Sequence, residues 1–153
     1  MNMENYKELV VWQRAKNFAV ALYRATENLP RAEQFGLTSQ IRRSATSVPP
    51  NIAEGWGRGS TKEYIQFLTV ARGSLMELET HLIIASDLSY LKPDQLEKSQ
   101  QQVESIGQML NRLIQALQFR RGSSANPEPQ TPNPDRSANP ETLTPNPDKQ
   151  THE

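Results

Sequence analysis

Apolar residues recur at intervals of three and four along four successive stretches of the chain, a period that admits amphipathic helices and little else. Val11, Ala15, Phe18, Leu22, Ala25 and Leu29 form the first stripe, which predicts a helix that stops at Pro30. Leu37, Ile41, Ala45, Val48, Ile52 and Trp56 form the second. Pro49 and Pro50 fall inside it and remove the donors that would bond to Ala45 and Thr46, so this helix must kink or break. Ser60-Thr61-Lys62-Glu63 has the spacing of a capping box and opens a third stripe of Tyr64, Leu68, Ala71, Leu75, Leu78, Leu82 and Ala85. Pro93 suits the first turn of a fourth helix with the seam Leu96, Val103, Ile106, Leu110, Leu113 and Leu117, Ser99 filling the remaining slot and the end fraying near Arg121-Gly122. No stretch alternates with period two, so the pattern predicts an all-α, antiparallel up-down-up-down four-helix bundle with a kinked second helix.

The stripes end where the composition changes. From Gly122 onward lie seven of the eleven prolines and a single large aliphatic residue, Leu143, too little apolar surface to offset the entropy of ordering. Residues 1–121 are therefore expected to form the bundle domain and 122–153 a disordered, Pro-rich tail. The tail contains a tandem repeat of 13 residues, Ser124 to Arg136 and Ser137 to Lys149, with three differences. Proline at this density suits a ligand for an aromatic-lined groove or a spacer, and equally a duplication of permissive sequence beyond the fold. Charge divides at the same boundary: the body carries 15 Lys/Arg against 12 Asp/Glu and the tail 2 against 5, so the formal net charge of zero is a cancellation of +3 and −3. With no cysteine, disulfide scaffolds and thiolate chemistry are excluded. No apolar run approaches the roughly 20 residues of a membrane span, and the expected location is the cytoplasm.

Catalytic and metal chemistry find few footholds. His81 is the only histidine in the body, sharing a helix face with Glu77, and one such pair supplies two ligands where a closed zinc site needs four. The glycines of Glu54-Gly55-Trp56-Gly57-Arg58-Gly59 have no preceding strand and no following Lys-Ser/Thr, so they read as a helix end and turn rather than a phosphate loop. What remains is a polar set on the second and third helices: Gln40, Arg42, Arg43, Asn51, Glu54, Arg58, Arg72, Ser74 and Glu77. Residues 37–62 hold Arg42, Arg43, Arg58 and Lys62 against Glu54 alone, and this stretch contains all of the body's excess positive charge. Arg43 lies about 200° around its helix from Ile41, facing solvent or another subunit. Two accounts fit: an ion-pair network joining helices or subunits, and a phosphate-contacting patch beside which Trp56 could stack on a base. A second apolar set of Ile65, Met76 and Ile83, with Trp12 and Tyr23 on the first helix, lies off the main seams. It fits an oligomer contact or the flank of a wide monomeric core.

The runs LVVWQRA (Leu9 to Ala15), SQIRRSATSVPPNIAEGWGR (Ser39 to Arg58) and EYIQFLTVARGSLMELETHL (Glu63 to Leu82) closely resemble the four helix bundle protein family, also called the 23S ribosomal RNA intervening-sequence proteins. The resemblance spans about residues 4–120 and leaves out the tail. It implies a small bacterial bundle assembling as a homopentameric ring, with no catalysis, cofactor or metal. A related branch is the accessory variability determinant of diversity-generating retroelements, which binds a reverse transcriptase and RNA. The resemblance makes Gln40, Arg43, Asn51, Glu54, Arg58, Arg72, Ser74 and Glu77 the family's polar signature and leaves both accounts of it open; the expectation is that Gln40, Asn51, Glu54, Arg72, Ser74 and Glu77 form a structural polar network, with Glu54 and Arg72 holding the second helix to the third. The charge clustering together with the resemblance makes Arg42, Arg43, Arg58 and Lys62 the expected phosphate contacts, and the apolar set off the main seams, Trp12, Tyr23, Ile65, Met76 and Ile83, the expected oligomer interface. Structured RNA, further copies of the chain and a reverse transcriptase are the implied partners. Five copies of a +3 patch would give a ring surface of roughly +15, enough to attract phosphate backbones at moderate salt.

Overall fold

The computed structural model describes residues 3–124; the tail repeats and their expected disorder lie almost entirely outside the described residues. Four helices account for most of the described chain, α1 (Val10–Ala25), α2 (Leu37–Gly57), α3 (Thr61–Asp87) and α4 (Pro93–Ser124), and short 3-10 turns cover Tyr6–Glu8 and Arg31–Glu33. There is no strand among the described residues. Each helix packs on the next and α4 returns against α1, so the bundle closes on itself. Because the α2–α3 and α3–α4 connections are only 58–60 and 88–92, consecutive helices must run antiparallel.

The apolar stripes meet on one axis. Ile41, Ile52, Leu68, Leu75, Leu78, Leu82, Ile106 and Leu110 are fully buried, as is Ala85 at the far end of α3. In the last turns of α4 the seam rotates: Ile114 is buried, whereas Leu113 and Leu117 pack only at its margin. A straight helix drifts against a strict seven-residue repeat, which moves the contact from one position to its neighbour. At the start of α3 the Ser60 hydroxyl accepts from the Glu63 amide at 3.2 Å and donates to the Glu63 carboxylate at 2.8 Å. The Glu63 side chain reaches the cap's hydroxyl rather than its backbone, and the third helix begins where its capping pattern places it.

Two differences from the sequence reading have physical causes. α1 stops at Ala25 although the apolar period continues to Leu29. The Thr26 hydroxyl donates back to the carbonyls of Leu22 (2.8 Å) and Tyr23 (3.2 Å), occupying the acceptors at the helix end, and Leu29 reaches the core from the loop that follows. The second concerns α2, where of the expected kink or break the break does not occur: the helix runs through Pro49 and Pro50. Val48, Pro49 and Ile52 are buried against the neighbouring helices, and this tertiary packing outweighs the two lost backbone bonds.

At the end of α2 the chain comes close against α3. A Cβ on Gly55 would stand 2.9 Å from Cβ of Phe67, 2.9 Å from Cδ2 of Tyr64 and 3.2 Å from the Tyr64 carbonyl oxygen. Gly55 is therefore a packing residue, while Gly57 and Gly59, with nothing within 4 Å, belong to the helix end and turn.

Candidate nucleic-acid interface

The helical period separates the polar set before any contact is considered. On α2, residues 38, 42 and 49 fall on one flank, residues 40, 47, 51 and 54 on the other, and 43 points between the second flank and solvent. Contacts follow that division. Arg42 donates through Nε to the Thr26 hydroxyl (2.9 Å) and through a terminal nitrogen to the Tyr23 carbonyl (3.2 Å), and its guanidinium lies 4.6 Å from the Tyr23 ring centroid. A cation on the last carbonyls of α1 complements that helix's dipole. Arg42 thus closes the end of α1 and ties it to α2, where the sequence reading assigned it to phosphate.

The α3-facing flank is a polar furrow. Ser47 and Ser74 share a hydrogen bond of 2.9 Å between the helices, and the Asn51 amide donates to the Ser47 carbonyl (2.7 Å) and hydroxyl (3.2 Å). At one end Arg43 donates to Gln40 (2.7 Å) and stands 4.0 Å from Glu77. Its side chain is 71% exposed, so this pair contributes little stability. Glu77 also faces His81 Nε2 at 3.5 Å, a nitrogen that is buried without a hydrogen-bond partner. At the other end Arg58 pairs with Glu54 four residues earlier and lies 4.8 Å from the Phe67 ring centroid. Lys62 is exposed on the first turn of α3. Beneath this end Tyr64 is half-buried, and burial pushes its phenol above the ordinary 10.0.

Arg43 and Arg58 thus lie at the two ends of the furrow of Gln40, Ser47, Asn51, Glu54, Ser74 and Glu77, and Lys62 is exposed on the turn of α3 that follows Arg58. Arg72 does not join them: it donates to Asn111 at 2.9 Å and so links α3 to α4, not α2 to α3. Glu54 likewise pairs within its own helix. Trp56 lies against Tyr6, which also meets Trp12 edge-on with centroids 5.3 Å apart, so these aromatics seal one end of the bundle. Ile65 packs at the margin of the core with Trp12, whereas Tyr23, Met76 and Ile83 are exposed. Thr26, Ser47, Tyr6 and Asn111 were not singled out from sequence. Only Thr26 carried a local signal, as a hydroxyl one residue past a helix end; the other three act through partners distant in the chain.

Residues 7–112 match the family model described as 23S rRNA-intervening sequence protein. Among solved structures, a protein of unknown function from the S23 ribosomal protein family of Bacteroides thetaiotaomicron VPI-5482 aligns at 28% identity with a TM-score of 0.63, over 69% of this chain and 98% of that one. No curated protein matches the chain.

Proposed function

Since the chain belongs to the 23S rRNA-intervening sequence protein family, we propose that it is a non-enzymatic, oligomeric bundle that binds RNA or an RNA-protein complex through the exposed edge of α2 and α3. The observation that carries this reading is the unequal use of adjacent cations. Arg42 is occupied by the α1 terminus, while Arg43, Arg58 and Lys62 present donors to solvent, Arg43 held by Gln40 and the exposed Glu77, Arg58 by the exposed Glu54 and the Phe67 ring. Guanidinium groups held by weak, exposed ion pairs exchange those partners for phosphate at small cost. Five copies around a ring would convert a weak patch into a field long enough to follow a nucleic-acid backbone.

Light-scattering mass on nuclease-treated protein, read with the absorbance ratio at 260 and 280 nm before and after a high-salt wash, tests both parts. The expected result is a homopentamer that arrives with nucleic acid and sheds it in salt. A monomer, or an oligomer indifferent to RNA, contradicts the reading. A second reading, a scaffold that docks a protein such as a reverse transcriptase, is favoured by the apolar side chains Val70, Met76, Ile83 and Ile84, all exposed on α3. Capture of a purified reverse transcriptase by the RNA-free protein would support it.

A further inference from the structure

The final turns of α4 carry a feature that neither the fold nor the α2–α3 edge uses. Phe119 lies on the side of α4 opposite the seam residues Leu110 and Leu117 and is 79% exposed. Arg112 shares that outward face one heptad earlier, and Arg120 and Arg121 follow at once. From 105 to 124 the helix holds these three arginines and no carboxylate. Cations near a helix C-terminus are explained by its dipole, but an aromatic ring turned away from the core is not. The Arg72–Asn111 bond fixes the level of this segment: ten residues back along α3 and ten forward along α4, each about 15 Å, bring Lys62 and Arg121 to the same end of the bundle. The α4 terminus therefore lies at the same end of the bundle as Arg58 and Lys62.

We infer that this end of α4 is a binding site for unpaired RNA, in which a base stacks on Phe119 while Arg112, on the same face, and Arg120, at its edge, contact the flanking phosphates. The inference rests on the RNA-binding reading above and narrows its ligand. A flat ring with a solvent-facing π surface beside several cations serves single strands, whose bases are free to unstack, and offers nothing to a duplex, whose bases are already paired and stacked. The charge of the patch disfavours the same patch on a second copy of the chain as its occupant.

The test is fluorescence anisotropy with the full-length protein, an oligouridylate of about 16 nucleotides and an RNA duplex of the same length. Phe119→Ala should weaken oligouridylate binding roughly fivefold or more and leave duplex binding and thermal stability unchanged, because the ring has almost no contacts to lose. Arg112→Ala with Arg120→Ala should weaken both ligands and lower the salt dependence. Unchanged oligouridylate binding by Phe119→Ala overturns the inference, as does an equal loss for both ligands or wild-type binding to the duplex alone. A smaller light-scattering mass for Phe119→Ala also overturns it, assigning the ring to a subunit contact. Failure of the wild-type protein to bind either RNA would instead remove the RNA-binding reading itself.

Discussion

On the flank of α2 that faces α1, Arg42 sits under Tyr23 with two hydrogen bonds to the end of a helix it does not belong to. On the flank that faces α3, Arg43 is bonded only to Gln40 on its own helix and stands at the outer limit of an ion pair with Glu77. The two residues are adjacent, identical and equally charged. What separates them is the 100° between successive residues of a helix, which puts one into a structural joint and leaves the other at the surface. The same division runs along α2: charge at the α1 flank closes the bundle, whereas on the α3 flank the neutral groups Ser47, Asn51 and Ser74 make the joint and the charges stay outside it.

Substitutions that break this contrast should differ in size. Gly55→Ala should have the largest effect, a loss of roughly 1–3 kcal/mol in urea unfolding, because the added methyl meets the Phe67 Cβ and the Tyr64 carbonyl, neither of which can swing away. Arg42→Ala should follow at about 1–2 kcal/mol, since it unpairs the buried Thr26 hydroxyl from its donor and strips the end of α1. Ser47→Ala should cost about 0.5–1.5 kcal/mol by removing the α2–α3 hydroxyl bond while leaving the apolar seam intact. Arg43→Ala should change the free energy of unfolding by less than about 0.5 kcal/mol in the same urea measurement. A chain ending at Ser124 should unfold like the full-length protein and bind RNA somewhat more tightly, because the residues removed carry two cations and five anions. A large loss of stability in that chain would show that the tail belongs to the fold.

The fold was legible where local and global signals agreed. The Ser60–Glu63 cap, the seam from Leu68 to Ala85 and the four-helix count all follow from spacing alone, because burial along a bundle axis selects the same stripe that helical geometry generates. The end of α1 was legible only in part, since Thr26 advertises a stop but Arg42, which completes it, lies sixteen residues away. The double proline announced trouble, and only the packing of Val48, Pro49 and Ile52 shows why the helix continues. Within the candidate interface, sequence supplied the cluster of charge but not its partition. The helical angle alone distinguishes Arg42 from Arg43, yet it does not say which flank meets α1, and Arg72 was assigned to α2 when its partner Asn111 is on α4.

The central claim, that cations on the α3-side edge of α2 contact phosphate while Arg42 holds the bundle together, is tested most directly by comparing the salt dependence of RNA binding for two variants under conditions where both are folded. Arg43→Ala with Lys62→Ala should retain the wild-type melting temperature, bind RNA more weakly and show a slope of log affinity against log salt that is smaller by about one to two units. Arg42→Ala should melt earlier and keep the wild-type slope. An unchanged slope in the Arg43/Lys62 variant, or a loss of slope in Arg42→Ala, would contradict the account.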